Sequence, residues 1–241
     1  MTRDERPLHA VPWTVWAALI AALCAQIAWR VAQAPAAPSA ADLPPAPSAQ
    51  ALRLASFGEP GMLARLTMLY LQAFDYSGTN ASPYGRLDYA RLTGWLEAIL
   101  ELDPRSEYPL FAAARVYAEG PDPARTRIAL DFVYREFFAD PDHRWPWLAH
   151  AAILAKHRLH DLPLARRYAA AIDHYTKSPN VPLWAKQMEI FILEDMNELE
   201  AARILLGGLL ESGAIKDPGE ANYMRLQLED LERRLGAKRT R

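Results

Sequence analysis

The chain has 241 residues, and its 27 lysines and arginines nearly balance its 29 aspartates and glutamates, which leaves a formal net charge of −2. Without a basic excess, nucleic-acid binding has no electrostatic support. The single cysteine, Cys24, excludes a disulfide framework and a thiolate metal site within one chain. The length allows one or two domains.

The N-terminal part of the chain contains an apolar run. Residues 1–10 are polar, and residues 11–30 carry no charge until Arg30. A helix over the uncharged run is roughly 28 Å long, close to the thickness of a hydrocarbon core. Tryptophans stand near both of its ends, as in an interfacial belt. The run therefore predicts a single transmembrane helix over residues 11–30.

The charges around this run indicate an orientation. Arg3, Arg6 and the free amine precede it, and only Arg30 directly follows it. The positive-inside rule then predicts a cytoplasmic tail over residues 1–10 and a periplasmic C-terminal domain. We accordingly expect a single-pass protein of the bacterial inner membrane.

A cleaved signal peptide is an alternative for this segment, because Ala32-Gln33-Ala34 has the small-x-small pattern of a cleavage site. Pro35 would follow the cut, which disfavours cleavage. A lipoprotein signal fits less well, because Leu23 stands before Cys24 where a small residue is expected.

Residues 31–52 predict a linker rich in proline and alanine. The five prolines within residues 31–50 exclude a regular helix or strand and favour polyproline conformations. Such a segment is a semi-rigid tether of up to roughly 60 Å. We expect it to hold a folded domain, residues 53–241, away from the membrane surface.

That domain contains a repeated pattern. Three similar blocks begin 37 and 36 residues apart, namely Tyr108-Pro109-Leu110-Phe111, Trp145-Pro146-Trp147-Leu148 and Val181-Pro182-Leu183-Trp184. A second series, Pro104, Pro141, Pro179 and Pro218, has spacings of 37, 38 and 39 residues. Two series with nearly the same period indicate a repeated helix-turn-helix unit.

Apolar residues at helical spacing predict four helix pairs and a final helix. The pairs are 60–75 with 86–102, 106–119 with 122–139, 145–159 with 162–176, and 181–196 with 198–212; the last helix, 218–235, would cap the stack. Several prolines fall in first turns, where a missing N–H costs least. Because no run of β-branched residues alternates as in a strand, the predicted fold class is all-α.

One segment resembles a known repeat family. Trp95-Leu-Glu-Ala-Ile-Leu-Glu-Leu-Asp-Pro104 resembles the second helix and closing Asp-Pro of a tetratricopeptide repeat. Small residues in both helices of each pair, such as Ala112, Ala149 and Ala169, are similar to the family's close-packing positions. The resemblance implies stacked helical hairpins that bind other proteins; Sel1-like and other α-solenoid repeats stay open.

Histidines form the one cluster that suggests metal or acid–base chemistry. His150, His157 and His160 fall on one face of a predicted helix, beside Asp161. No further carboxylate or cysteine stands at ligand spacing, and the chain lacks a phosphate loop or a nucleophile elbow. We therefore predict no catalytic residue, cofactor or metal, and interpret the histidines as surface or packing residues.

Protein binding is the function that the repeat architecture implies. The first helices of such repeats line a concave surface, and their aromatic residues are packing residues or binding candidates: Tyr108, Phe111, Tyr117, Trp145, Trp147, Trp184 and Phe191. The partly exposed partner-binding candidates are Arg115, Tyr117, His150, Lys186 and Glu189.

We expect a membrane-anchored scaffold that binds a protein or peptide partner in the cell envelope. Two alternatives stay open. One is a metal-dependent or hydrolytic enzyme that uses the histidines, and the other is a structural module that self-assembles.

Overall fold

The computed structural model describes residues 12–32, 43–74, 87–213 and 215–239. These residues form α-helices and one 3₁₀ turn but no strand, which confirms the all-α prediction. The helices are α1 (Trp13–Ala32), α2 (Ala49–Ala55), α3 (Pro60–Gln72), α4 (Tyr89–Leu102), α5 (Tyr108–Arg115), α6 (Pro123–Phe137), α7 (Pro141–His157), α8 (Leu162–Tyr175), α9 (Leu183–Asp195), α10 (Leu199–Glu211) and α11 (Pro218–Arg239); the 3₁₀ turn is Tyr117–Glu119.

The first compact unit, residues 1–41, contains the described helix α1. Its uncharged part runs only from Trp13 to Trp29, so it measures roughly 26 Å, short of a hydrocarbon core of about 30 Å. In the part of the chain that the structure describes, no helix combines the length and the apolar character needed to cross a membrane. The transmembrane helix predicted over residues 11–30 is therefore wrong.

The predicted cytoplasmic tail, residues 1–10, lies outside the described residues. The location predicted for the chain, at the inner membrane with a periplasmic domain, stays a prediction.

The second unit, residues 42–241, is a stack of helices in chain order. Each helix from α3 to α10 packs against the next one. Alternate helices are also in contact in the first part of this stack, where α4 packs on α6 and α5 packs on α7. This arrangement is compatible with a solenoid of helical hairpins, because one hairpin cannot bury its own apolar face and must stack on its neighbours.

Local signals explain most helix starts. Proline occupies the first turn of α3, α5, α6, α7 and α8, where no backbone donor is lost. Asp88, Asp122 and Asp161 accept backbone N–H groups of α4, α6 and α8 at their first turns. Prolines in first turns and aspartate caps thus mark these helix starts, and α6 and α8 carry both signals.

Most helix ends differ from the predicted ones by only a few residues, but α7 and α5 differ in ways that change the helix itself. α7 begins at Pro141, not at residue 145, so Pro146 lies inside the helix and removes one backbone hydrogen bond. α5 ends at Arg115, and the chain continues through the 3₁₀ turn to Gly120. The predicted helix over residues 106–119 is therefore split.

Residues 43–55, most of which fall in the predicted linker, pack against α4. Leu43 is buried, and its carbonyl oxygen accepts a hydrogen bond of 2.8 Å from Arg91 Nη1. Trp95 Nε1 donates to Pro44 O at 2.7 Å. Helix α2 follows, with Ser48 as its cap. From residue 43 onward, the described part of this segment belongs to the helical unit.

The core of this unit is rich in alanine. Fully buried small residues let the helices approach closely, while larger side chains fill the layers between them; the alanines include Ala113, Ala114, Ala151, Ala152, Ala155, Ala165, Ala169 and Ala185. A separate cluster joins α9, α10 and α11. In that cluster, α11 packs on α10 and buries Met224 and Leu231.

Candidate functional site

An open groove of about 360 Å³ crosses α5, α7 and α9. Successive turns of α7 supply Trp145, Ala149 and Ile153 to its floor and walls. The residues that line it are Phe111, Arg115, Trp145, Pro146, Trp147, Ala149, His150, Ile153 and Trp184. We call this surface the aromatic groove.

The aromatic groove keeps large apolar side chains exposed. Trp184 is 51% exposed, Ile153 is 43% exposed and Phe111 is 38% exposed. Tyr108, also exposed, stacks on Phe111 with a centroid distance of 6.0 Å and extends the surface along α5. Single exposed apolar residues are ordinary, but a contiguous group indicates an interaction site.

Ring contacts between helices hold these aromatic side chains in place. Trp145 of α7 meets Trp184 of α9 edge to face, with centroids 5.5 Å apart. Phe111 of α5 meets Trp147 of α7 in the same manner, at 5.6 Å. Such pairs contribute about 0.5–1.5 kcal/mol each beyond their area burial. The groove is therefore preorganised, and little side-chain entropy is left to lose on binding.

Arg115 and His150 form the polar end of the aromatic groove. Arg115 Nη1 lies 3.5 Å from His150 Nδ1, while His150 Nε2 lies 3.8 Å from Glu119 Oε1, beyond hydrogen-bonding distance. Burial, and then the positive charge of Arg115, lower the pKa of His150. We infer a neutral imidazole at pH 7 whose Nδ1 accepts from Arg115, which assigns the proton to Nε2.

Two nitrogen atoms of the groove wall lack a hydrogen-bond partner within the described part of the chain: Trp147 Nε1 and His150 Nε2, both buried. An unpaired buried donor costs about 1–3 kcal/mol. Among the described residues that line the groove there is no carboxylate, and the Trp and Arg side chains there only donate. The polar chemistry of the groove is therefore that of hydrogen-bond donors.

The lowered pKa of His150 predicts a pH dependence of stability. Because the folded state disfavours protonation, the unfolding free energy should fall as the pH drops below about 6.5, the ordinary histidine pKa. The slope from this one group cannot exceed about 1.4 kcal/mol per pH unit. Urea unfolding of the full chain at pH 7.5 and 5.5 should show a smaller fall for His150→Gln than for the wild type. The same substitution at exposed His157 is the control, and equal slopes for wild type and His150→Gln would refute the prediction.

The five predicted partner-binding residues occupy three places. Arg115 and His150 lie in the aromatic groove. Tyr117 lies in the core, where its ring meets Tyr89 edge to face at 6.4 Å, so it is not accessible to a partner.

Lys186 and Glu189 line a different groove, of about 290 Å³, beside the exposed Ile204 of α10. There Glu189 Oε1 accepts from Arg166 Nε at 3.0 Å.

Ile153 of the aromatic groove was not predicted as a site residue. Its spacing of four and eight residues from Ala149 and Trp145 places all three on one face of α7, and that spacing could have identified it.

The histidines do not form a metal centre. His150 is in the groove wall, and His157 and His160 are exposed. Among the described residues, no group of three or more His, Cys, Asp or Glu side chains is placed to hold a metal ion.

The chain matches no protein-family model, no curated protein and no solved structure. Its likeness to tetratricopeptide repeats therefore depends on the residues 95–104 and on the order of helix packing.

Proposed function

We propose that this protein is a scaffold of stacked, tetratricopeptide-like helical hairpins, and that its aromatic groove binds a segment of another protein. The contiguous, exposed aromatic surface on α5, α7 and α9 carries the proposal. Aromatic side chains are enriched among the residues that contribute most to protein–protein affinity. Here, contacts between rings on different helices already fix their positions.

The proposal predicts that substitutions of exposed groove residues weaken binding while the chain remains folded. Peptides of random sequence, selected by display against the full chain, provide the ligands. Trp184→Ala should weaken their binding by about 30-fold, the effect of a strong contact residue, and Ile153→Ser should weaken it several-fold. Fluorescence titration measures both affinities, and circular dichroism checks that each variant is folded.

Ile128 of α6 offers a matched control. It is 40% exposed, against 43% for Ile153, and it lies outside the groove. Ile128→Ser should leave peptide affinity within about two-fold, since surface substitutions away from a site have small effects. A selection that yields no binder, or binders equally affected by Ile128→Ser and Trp184→Ala, would exclude the aromatic groove as the site.

A further inference from the structure

The chemistry of the aromatic groove narrows the class of segment that it binds. We infer that the ligand is a proline-rich segment of a partner protein, bound in the extended polyproline conformation. This inference rests on the proposed function, because it names the partner chemistry for the same groove.

The hydrogen-bonding character of the groove is the first argument. The lining residues Arg115, Trp145 and Trp184 carry N–H donors, and the one acceptor among the described lining side chains, His150 Nδ1, already faces Arg115. An ordinary peptide brings as many backbone N–H groups as carbonyl groups, and those N–H groups would find no acceptor there. Proline has a carbonyl but no N–H. A proline-rich segment therefore brings the acceptors that the groove can satisfy and few donors that it cannot.

The second argument comes from the same chain, which already binds a proline-containing segment in this way. Leu43 and Pro44 lie outside any helix and contact α4, and their carbonyl oxygens accept from Arg91 Nη1 at 2.8 Å and from Trp95 Nε1 at 2.7 Å. One arginine and one tryptophan thus bind two consecutive carbonyls. The aromatic groove presents the same two donor types, Arg115 and a set of tryptophans.

Shape and entropy give the third argument. Exposed rings of Trp184 and Phe111, with Ile153 beside them, form an apolar surface against which the flat face of a pyrrolidine ring can pack. Grooves lined by aromatic residues are a recurring receptor for polyproline segments. Such a segment is stiff before it binds, so less conformational entropy is lost than for a flexible peptide.

Fluorescence anisotropy with the full chain tests the inference. The probe is fluorescein-labelled decaproline, and the comparison peptide has alanine at every second position. Decaproline should bind, and the alanine-containing peptide should bind at least 10-fold more weakly. Trp184→Ala should weaken decaproline binding at least 10-fold and Arg115→Met several-fold, whereas Ile128→Ser should leave it within two-fold.

Each contrary result has a defined meaning. Equal binding of the two peptides, or decaproline binding that Trp184→Ala does not change, would overturn the inference. If decaproline fails while display-selected peptides of other composition bind through Trp184, the proline inference falls and the scaffold proposal stands. If both ligand sets fail, both proposals fall. Self-association of the full chain that decaproline abolishes would overturn the assignment to a partner protein and identify the ligand as a second copy's own proline-rich segment.

Discussion

Replacing Phe137 by alanine should lower the unfolding free energy of the chain by about 3–5 kcal/mol, the cost of deleting a buried aromatic ring. Phe137 is the last residue of α6, and its side chain is completely buried in the larger core. Truncation removes the transfer free energy of the ring and leaves a cavity.

Phe138 is the matched control, because it is the next residue in the chain and belongs to the same residue type. It is 40% exposed and makes edge-to-face contacts with Tyr134 and Tyr175, both at 5.0 Å. Phe138→Ala should therefore cost only about 1–2 kcal/mol. Urea unfolding of the full chain, followed by circular dichroism, measures both variants. Equal destabilisation by the two variants would contradict the burial difference between them.

Replacing Arg144 by methionine should cost about 2–4 kcal/mol at pH 7, because it breaks a largely buried set of charge-assisted contacts. Arg144 Nη1 donates to Glu136 O at 2.6 Å and lies 3.2 Å from Glu136 Oε2. Arg144 Nη2 donates to Pro104 O at 3.0 Å. The guanidinium thus connects α7 with the end of α6 and with the turn before α5.

The unfolding free energy lost in Arg144→Met should depend on pH. Burial raises the pKa of Glu136, and Arg144 opposes that rise; without Arg144, the pKa of Glu136 should rise further. A raised carboxyl pKa favours the folded state below the unfolded pKa, and this contribution is lost as the pH increases through the folded pKa. The deficit of Arg144→Met relative to wild type should therefore be largest near pH 7 and smallest near pH 4.5.

Two further variants test this explanation of Arg144. Adding Glu136→Gln to Arg144→Met should recover part of the loss, since no uncompensated carboxylate then remains. Arg135→Met is the control, because Arg135 is an exposed arginine of α6 next to Glu136 in the chain. It should change the unfolding free energy by no more than about 0.5 kcal/mol. A deficit that does not change with pH, or a double variant no more stable than Arg144→Met, would show that packing alone explains the loss.

The succession of helices was predictable because its signals are local. A proline in a first turn and an aspartate cap act on residues within one turn, so their spacing along the chain reports the spacing of helices. The same locality explains the error at α7. Asp140-Pro141 is compatible with the end of one helix and with the start of the next, and here it starts a helix that then includes Pro146.

The segment after residue 42 shows what local signals miss. Its proline content predicts an extended chain with little to bury, yet Leu43 is buried and its carbonyl is bound by Arg91. Arg91 and Trp95 lie 48 and 51 residues away from their acceptors in the sequence. No pattern within the segment itself indicates those partners.

The predicted site residues show the same contrast between local sequence signals and contacts that form only in the folded chain. In the sequence, Tyr117 and Trp184 are both aromatic residues of predicted first helices, and nothing local separates a core residue from a groove residue. In the structure, Tyr117 lies in the 3₁₀ turn and packs into the core, whereas Trp184 lies half-exposed at the groove. The difference arises from which neighbouring helix covers each ring.

By itself, the sequence of this protein determined an all-helical chain and the approximate ends of most of its helices, because these follow from backbone preferences within a few residues. Only the tertiary structure decided which apolar side chains face water, and it corrected the membrane span that composition alone favoured. Exposure depends on contacts between helices three dozen residues apart. The pattern of residues along one helix does not contain information about such contacts. For this protein, those contacts decide which aromatic residues belong to the core and which belong to the aromatic groove.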